Sequence, residues 1–390
     1  MIFTDLAYFI FLLATALLYR QASQKIKPWV IIASGLSFYA YYATGFVWLF
    51  VIEALVVYFL THYGKKLGYY AALAVPLLVL GYYKYSAFLF EAILPSSDNP
   101  FLYIAFPLAI SFFTFEFLHY SFDFKRGKIE KDSAKNFMAF AFFYPSMAAG
   151  PIKRFQEFNS QLIEGLKSNW SDWFAGGFRI LVGLFKKLVL ADSLGYFSSV
   201  LNSSFYVSHA SPYQVWFALI AFTFKIYFDF SGYSDIAIGS ARLFGIKIPE
   251  NFDYPFLSRN IAQFWRKWHM SLYSWLNDYI FTPLSVNLRN YKAWGMVFSI
   301  IAVFTVSGLW HGSDWNFVAW GAYHGLAVAF YYVYSFSLKK KLSKKEWYQS
   351  KLFTAAAIIF NFLLVAVSFA LFLAPLNEAI QIISKLFFIG

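Results

Sequence analysis

Two tryptophan-histidine pairs, Trp268-His269 and Trp310-His311, sit in strongly apolar surroundings. A neutral imidazole accepts a proton from a hydroxyl near pH 7, which makes it the natural general base for acyl transfer to an alcohol. Charged groups at membrane depth cost about 2.5 kcal/mol or more, so ionisable side chains there tend to persist where they do work. The first block reads Phe264-Trp265-Arg266-Lys267-Trp268-His269-Met270-Ser271-Leu272, followed by Trp275 and Asp278. At helical spacing Trp265, Trp268 and Trp275 fall near one face, with His269 beside them. The competing reading is an interfacial amphipathic helix with tryptophan anchors and a snorkelling Arg266-Lys267 pair. The second block, Ser307 to Asn316, ends the apolar run Met296 to Val306. Gly308 and Gly312, on either side of Trp310-His311, allow close backbone approach and leave room for a ligand. A packing helix with a buried, hydrogen-bonded histidine is the alternative, and it suits His324, in Gly321-Ala322-Tyr323-His324-Gly325, better than His311.

No other chemistry competes for these imidazoles. The chain has no cysteine, which excludes a disulfide framework, a thiolate metal site and a cysteine nucleophile. It has no HExxH, no Walker A loop and no GxSxG elbow. Glu116-x-x-His119 lacks the second copy that a di-iron bundle needs, so these two side chains are expected to pair locally on one helix face, and no metal is expected.

The elements that must position the histidines are helices in lipid. Of 390 residues 60% are hydrophobic, 24% aromatic and only 13% charged, with a mean hydropathy of +0.53. That is the composition of a polytopic membrane protein. The formal charge of +12 lies in short loops beside apolar spans, which points to membrane topology and lipid contact rather than nucleic acid. Asp5 precedes the first apolar stretch and Arg20, Lys25 and Lys27 follow it, the reverse of a cleaved signal peptide. The positive-inside rule then places the N-terminus outside and the next loop in the cytoplasm. Apolar stretches at 29–44 and 46–61 read as a hairpin returning to Lys65-Lys66. A stretch at 68–94 leads to an outside loop, Pro95 to Pro100, and 101–122 returns to the basic loop at Lys125-Arg126-Gly127-Lys128. From about 137 to 335 the apolar stretches shorten and are broken by Gly, Pro and charges, as in Gly150 to Arg154 and Arg259 to Lys267. Such pieces should be re-entrant or cavity-lining. A clean span at 353–374 and a short apolar tail follow the basic run Lys339 to Lys345. The whole chain, 1–390, reads as one integral-membrane domain.

Several motifs in order carry a family resemblance: Tyr227-Phe228-Asp229-Phe230-Ser231-Gly232-Tyr233-Ser234-Asp235, Pro249-Glu250-Asn251-Phe252, Phe264 to Leu272, and Trp310-His311-Gly312 with Trp315-Asn316. With Ala109 to Phe115 and Ala149 to Phe155, they cover about 100–330. The chain resembles the membrane-bound O-acyltransferase (MBOAT) family, in the bacterial branch of polysaccharide O-acetylases and the D-alanyl transfer protein of teichoic acid synthesis. Asn277 stands before Asp278 where many relatives have Arg, and Ser285-Val286-Asn287-Leu288 replaces a glycine-rich turn. These departures bear on the acceptor polymer and leave both histidines in place.

The resemblance implies an all-α ring of roughly eleven transmembrane helices with re-entrant pieces around a central tunnel, in a bacterial plasma membrane. It makes His311 the family's motif histidine and His269 the other functional one. An acyl donor would come from the cytoplasm and an acceptor hydroxyl from outside. His311 would act as general base, while His269 would orient the acceptor, donate to the oxyanion or relay the proton. Trp268, Trp310, Trp315 and Asn316 would shape the tunnel. Asp229 and Asp235 either fix a histidine or pair with Lys225, Arg242 or Arg259. No bound cofactor is implied; the donor is acetyl-CoA or another acyl-CoA, or the thioester of an acyl carrier protein. The acceptor is an extracytoplasmic polysaccharide, reached directly or through an SGNH-type relay protein. The motif at Pro249 to Phe252 and the run Trp275 to Pro283 favour acetylation over D-alanylation of teichoic acid. From other classes, a transporter would use the same broken helices but predicts inverted repeats, and none is visible. A scaffold of envelope assembly predicts acylation indifferent to His311.

Overall fold

The structure, a computed structural model, describes residues 2–93, 104–164 and 168–388. Among the described residues every regular element is helical, and a lone antiparallel bridge joins Phe252 to Trp268. A helix satisfies its backbone polar groups within one segment, as hydrocarbon requires. Among the described residues five helical stretches are long and apolar enough to cross a membrane: Lys27–Tyr63, Lys65–Glu91, Pro212–Leu243, Arg289–His311 and Lys351–Leu373. The expected hairpin at 29–61 falls on helices Lys27–Ala43 and Val47–Tyr63, separated by a 3-10 turn at Thr44–Phe46. The expected span at 101–122 starts later, as helix Ile110–Lys125, because Pro107 and the left-handed Ala109 (φ 62°) precede it. The outside loop expected at Pro95 to Pro100 lies outside the described residues.

Between 137 and 335 the chain is only partly broken. Short helices and π-turns at Phe185–Ala191 and Asn277–Phe281 fit the expectation. Three long helices do not: Pro212–Leu243 (32 residues), Lys292–His311 (20) and Trp315–Ser337 (23) run unbroken. Their glycines are packing surfaces rather than breaks. A Cβ on Gly183 would lie 2.6 Å from the Gly232 carbonyl oxygen, and one on Gly239 the same distance from that of Gly176. Helix Trp170–Leu184 thus lies backbone to backbone against the end of Pro212–Leu243 through small residues.

Packing divides the chain into two units, Met1–Phe185 with Gly232–Glu250, and Lys186–Ser231 with Asn251–Gly390. The core of the first is aromatic, with Phe50 and Phe113 stacked at 4.2 Å and the Tyr8 hydroxyl donating to Ser240 Oγ at 2.9 Å. Here Glu116 and His119 do not pair. Glu116 takes the buried Lys153 ammonium, and His119 Nε2 accepts from the Phe155 backbone N–H at 3.0 Å. A carboxylate in an apolar core gains more from a full charge than from a neutral imidazole one turn away. In the second unit Lys292–His311 and Trp315–Ser337 cross tightly: a Cβ on Gly308 would lie 2.1 Å from the Phe317 carbonyl oxygen, and one on Gly321 2.4 Å from that of Phe304. Helix Lys351–Leu373 is tied to this pair by Asn316 Nδ2 donating to the Leu371 carbonyl (3.1 Å) and the Tyr323 hydroxyl donating to that of Leu364 (2.9 Å).

Candidate active site

His269 owes its place to a break in the helix expected around it. Asn260 caps a short helix, Ile261–Trp265, by accepting from the Gln263 N–H at 2.9 Å, and a new helix starts at Met270. Between them His269 adopts a left-handed backbone, φ 46° and ψ 52°, which costs a non-glycine residue about 1–2 kcal/mol. The single helix carrying three tryptophans on one face is therefore corrected to two short helices with a kink. The interfacial-anchor reading fails as well, because Trp265, Trp268 and Trp275 are all buried. Lys267 does not snorkel freely but meets Asp253 at 2.9 Å.

A short extended segment holds the kink. Asp253 N–H donates to the Lys267 carbonyl and Met270 N–H to the Asn251 carbonyl, both at 3.0 Å. Asn251, fully buried, accepts at Oδ1 from the Ser271 N–H (3.3 Å) and the Ser271 hydroxyl (2.6 Å). These bonds bracket His269 on both sides and satisfy first-turn donors that the new helix cannot. The side chain so placed is 2% exposed, edge-on to Phe230 at 4.6 Å, and its Nε2 has no hydrogen-bond partner among the described residues. Burial, and after it the neighbouring His311, holds this imidazole well below the ordinary histidine range.

His311 is the last residue of its helix. It is half-buried, with its ring against Trp310 (4.5 Å), Trp320 (5.0 Å) and Phe372 (5.1 Å). Trp310 also meets His269, at 5.7 Å, so one indole touches both imidazoles. The glycines flanking His311 do not leave the expected room. Phe317 covers both: a Cβ on Gly312 would fall 2.1 Å from its ring and one on Gly308 2.1 Å from its carbonyl oxygen. His324 is a satisfied core histidine, accepting from Trp265 Nε1 at 3.3 Å and meeting Ser368 Oγ at 2.9 Å.

The remaining candidates divide. Asp229 lies 2.7 Å from Lys187, and Asp235 accepts from Arg179 at 2.9–3.0 Å. Both are thus ion-paired, with cations other than the three anticipated; Arg242 is held by Asp172. Trp268 packs into the core on Phe252 and Phe264, Asn316 ties two helices, and Trp315 is exposed. Sequence reasoning gave no role to Asn251 or Trp320. Asn251 stood in a quoted motif without a partner in view. The glycine stripe of Gly308, Gly321 and Gly325 was the one signal that Trp320 would be brought against His311. Among the described residues no three His, Asp or Glu side chains converge to hold a metal ion. The arrangement offers two imidazoles in unlike settings beside one indole, a set suited to proton transfer.

Comparison with known proteins gives the chain's relatives. The family model described as MBOAT, membrane-bound O-acyltransferase family, matches residues 36–374. A probable alginate O-acetylase of Azotobacter vinelandii is 31% identical over 98% of this chain and 77% of its own length. A peptidoglycan O-acetyltransferase of Helicobacter pylori is 31% identical over 80% of the chain and 66% of its own. A teichoic acid D-alanyltransferase of Streptococcus thermophilus is 31% identical over 70% and 69%. Across the alginate relatives the chain spans from 62% to 79% of their length.

Proposed function

The chain belongs to the membrane-bound O-acyltransferase family, a multi-pass membrane acyltransferase, and from that premise we propose that it transfers an acetyl group from cytoplasmic acetyl-CoA to a hydroxyl of an extracytoplasmic polysaccharide, or of a relay protein that serves one, across a bacterial inner membrane. The observation that supports this reading is the pair His269 and His311 against a common indole, in the stretch that the family model matches. His311 takes the acceptor proton as the hydroxyl oxygen attacks the thioester carbonyl. The carbonyl oxygen then carries the negative charge of a tetrahedral intermediate. His269, neutral and with an unpartnered ring nitrogen, donates an N–H to that oxygen. Collapse expels the thiolate, which takes the proton back from His311 and leaves as coenzyme A, and the new ester remains on the acceptor. The protein supplies no covalent intermediate and no bound cofactor to this scheme.

The test is acetyl transfer by the full chain in nanodiscs with radiolabelled acetyl-CoA, with folding matched by gel filtration. His311→Ala should lose about 10²–10⁴ in rate, the worth of a positioned general base. A fully active His311→Ala refutes the mechanism. Turnover of a D-alanyl carrier thioester in place of acetyl-CoA replaces the donor and selects the reaction named for the teichoic acid relatives.

A further inference from the structure

A cavity of about 570 Å³ lies in the second unit between helices Trp315–Ser337 and Lys351–Leu373. Small-molecule sites run from about 300 to 1,000 Å³, so it can hold a ligand rather than a few waters. Its lining is graded. At the end beside the basic run stand Lys339 and Tyr348, further along the second helix come Phe360, Asn361 and Leu364, and Arg259 is a second cation in the lining. From Phe353 to Leu364 the helix rises roughly 16 Å, so the cavity leads from an interface well into apolar depth. No carboxylate lines it, and among the described residues Arg259 makes no ion pair. Asn361, 3% exposed, stands in the wall with its amide nitrogen covered by protein. Phe330 and Phe360, two of its lining residues, are 77% and 68% exposed, and Phe360 stands on a helix long and apolar enough to cross a membrane.

We propose that this cavity binds one anionic phospholipid, its headgroup held by the cationic lining residues Arg259 and Lys339 and an acyl chain along Phe360 and Leu364. These exposed apolar lining residues select a lipid: an occupant beside them meets hydrocarbon, which an acyl chain does without cost and a nucleotide does not. The graded lining selects its sign, because two cations with no acidic neighbour favour a net negative headgroup. The proposal stands apart from the acyltransfer reading and requires neither histidine.

The experiment uses the full-length protein in detergent micelles, titrated with phosphatidylglycerol carrying a fluorophore on one chain, and with phosphatidylcholine bearing the same chains. Saturable binding of one phosphatidylglycerol per chain, tighter than phosphatidylcholine, is expected. Arg259→Gln and Lys339→Gln should each weaken phosphatidylglycerol about fivefold, the worth of roughly one basic residue at a membrane surface. Neither should affect phosphatidylcholine. Ala357→Trp, which fills the cavity, should abolish the saturable phase. Lys344→Gln with Lys345→Gln, outside the cavity, is the control for diffuse attraction. Equal affinity for the two lipids, or an effect of the control pair as large as that of Arg259→Gln, would overturn the proposal. So would displacement of the bound lipid by free coenzyme A, which would assign the cavity to a soluble nucleotide donor. Gel filtration of each variant separates lost binding from lost folding.

Discussion

Asn251→Ala is the sharpest perturbation of the candidate site that touches neither histidine. The Asn251 backbone carbonyl still accepts from Met270, so one arm of the bracket survives. What goes is the acceptor for the Ser271 N–H and hydroxyl, at a position with no access to water. Each buried donor left unmade costs about 1–3 kcal/mol. The left-handed His269 backbone, held at about 1–2 kcal/mol above its relaxed form, then has less to oppose its return. The two lost bonds give a stability loss of roughly 2–6 kcal/mol, and release of the kink shifts the His269 ring. A displacement near 1 Å in a reacting constellation costs about 10²-fold in rate. The expected outcome is a folded, less stable protein whose kcat for acyl transfer falls about 10²-fold while KM for the thioester moves little. Ser271→Ala removes one of the same two bonds, so the double variant should be less than additive, with a coupling of about 0.5–3 kcal/mol by thermal unfolding in detergent. A folded Asn251→Ala with kcat within about twofold of the parent would refute the reasoning. Strict additivity with Ser271→Ala would show that the hydrogen bonds seen at Asn251 are not what holds the kink.

Two further outcomes follow from the same geometry. At residue 269 the left-handed backbone suits glycine, so His269→Gly should be more stable than His269→Ala by about 1 kcal/mol although both lack the imidazole; equal melting temperatures would mean that the kink relaxes when the ring is removed. Lys187, 4% exposed, holds Asp192 at 2.9 Å and Asp229 at 2.7 Å. The carboxylates are 52% and 34% exposed, so Lys187→Met should destabilise by only about 1 kcal/mol, and adding Asp229→Asn should restore part of that; no recovery in the double variant would show that the pair does not govern stability there.

What could be read from residues alone was the chemistry and its medium. Composition fixes lipid as the solvent, and the absence of competing motifs leaves imidazole as the proton carrier. What could not be read was where the backbone bends. Histidine is tolerated in the left-handed region but does not demand it, and the three tryptophans around His269 fit a single helix face as well as they fit two short helices. The kink is imposed from Asn251, eighteen residues upstream, by bonds that have no local pattern. Glu116 and His119 illustrate the same limit, since helical spacing offers them to each other and a distant lysine takes the carboxylate instead. Glycines were legible as close approach, but not which neighbour would come close. Gly308 and Gly312 meet Phe317, so the space imagined for a ligand is filled by protein.

The two imidazoles are made unlike by secondary structure rather than by their immediate sequence. A base must reach the hydroxyl it deprotonates, and His311, half-buried at the end of its helix, is the more open of the two rings. His269 sits before a helix start, fully buried, where the helix dipole disfavours a cation and apolar walls add to the penalty. Each Trp-His pair places a ring beside its histidine in sequence, but the pairs are used differently. Trp268 turns into the core on Phe252 and Phe264, whereas Trp310 meets both imidazoles. On the proposed mechanism this asymmetry makes His311 the proton acceptor and leaves His269 a neutral donor to the oxyanion. Exchanging those roles would require His269 to carry a charge at a helix N-terminus in an apolar wall, the costlier arrangement by every contribution that the geometry contains.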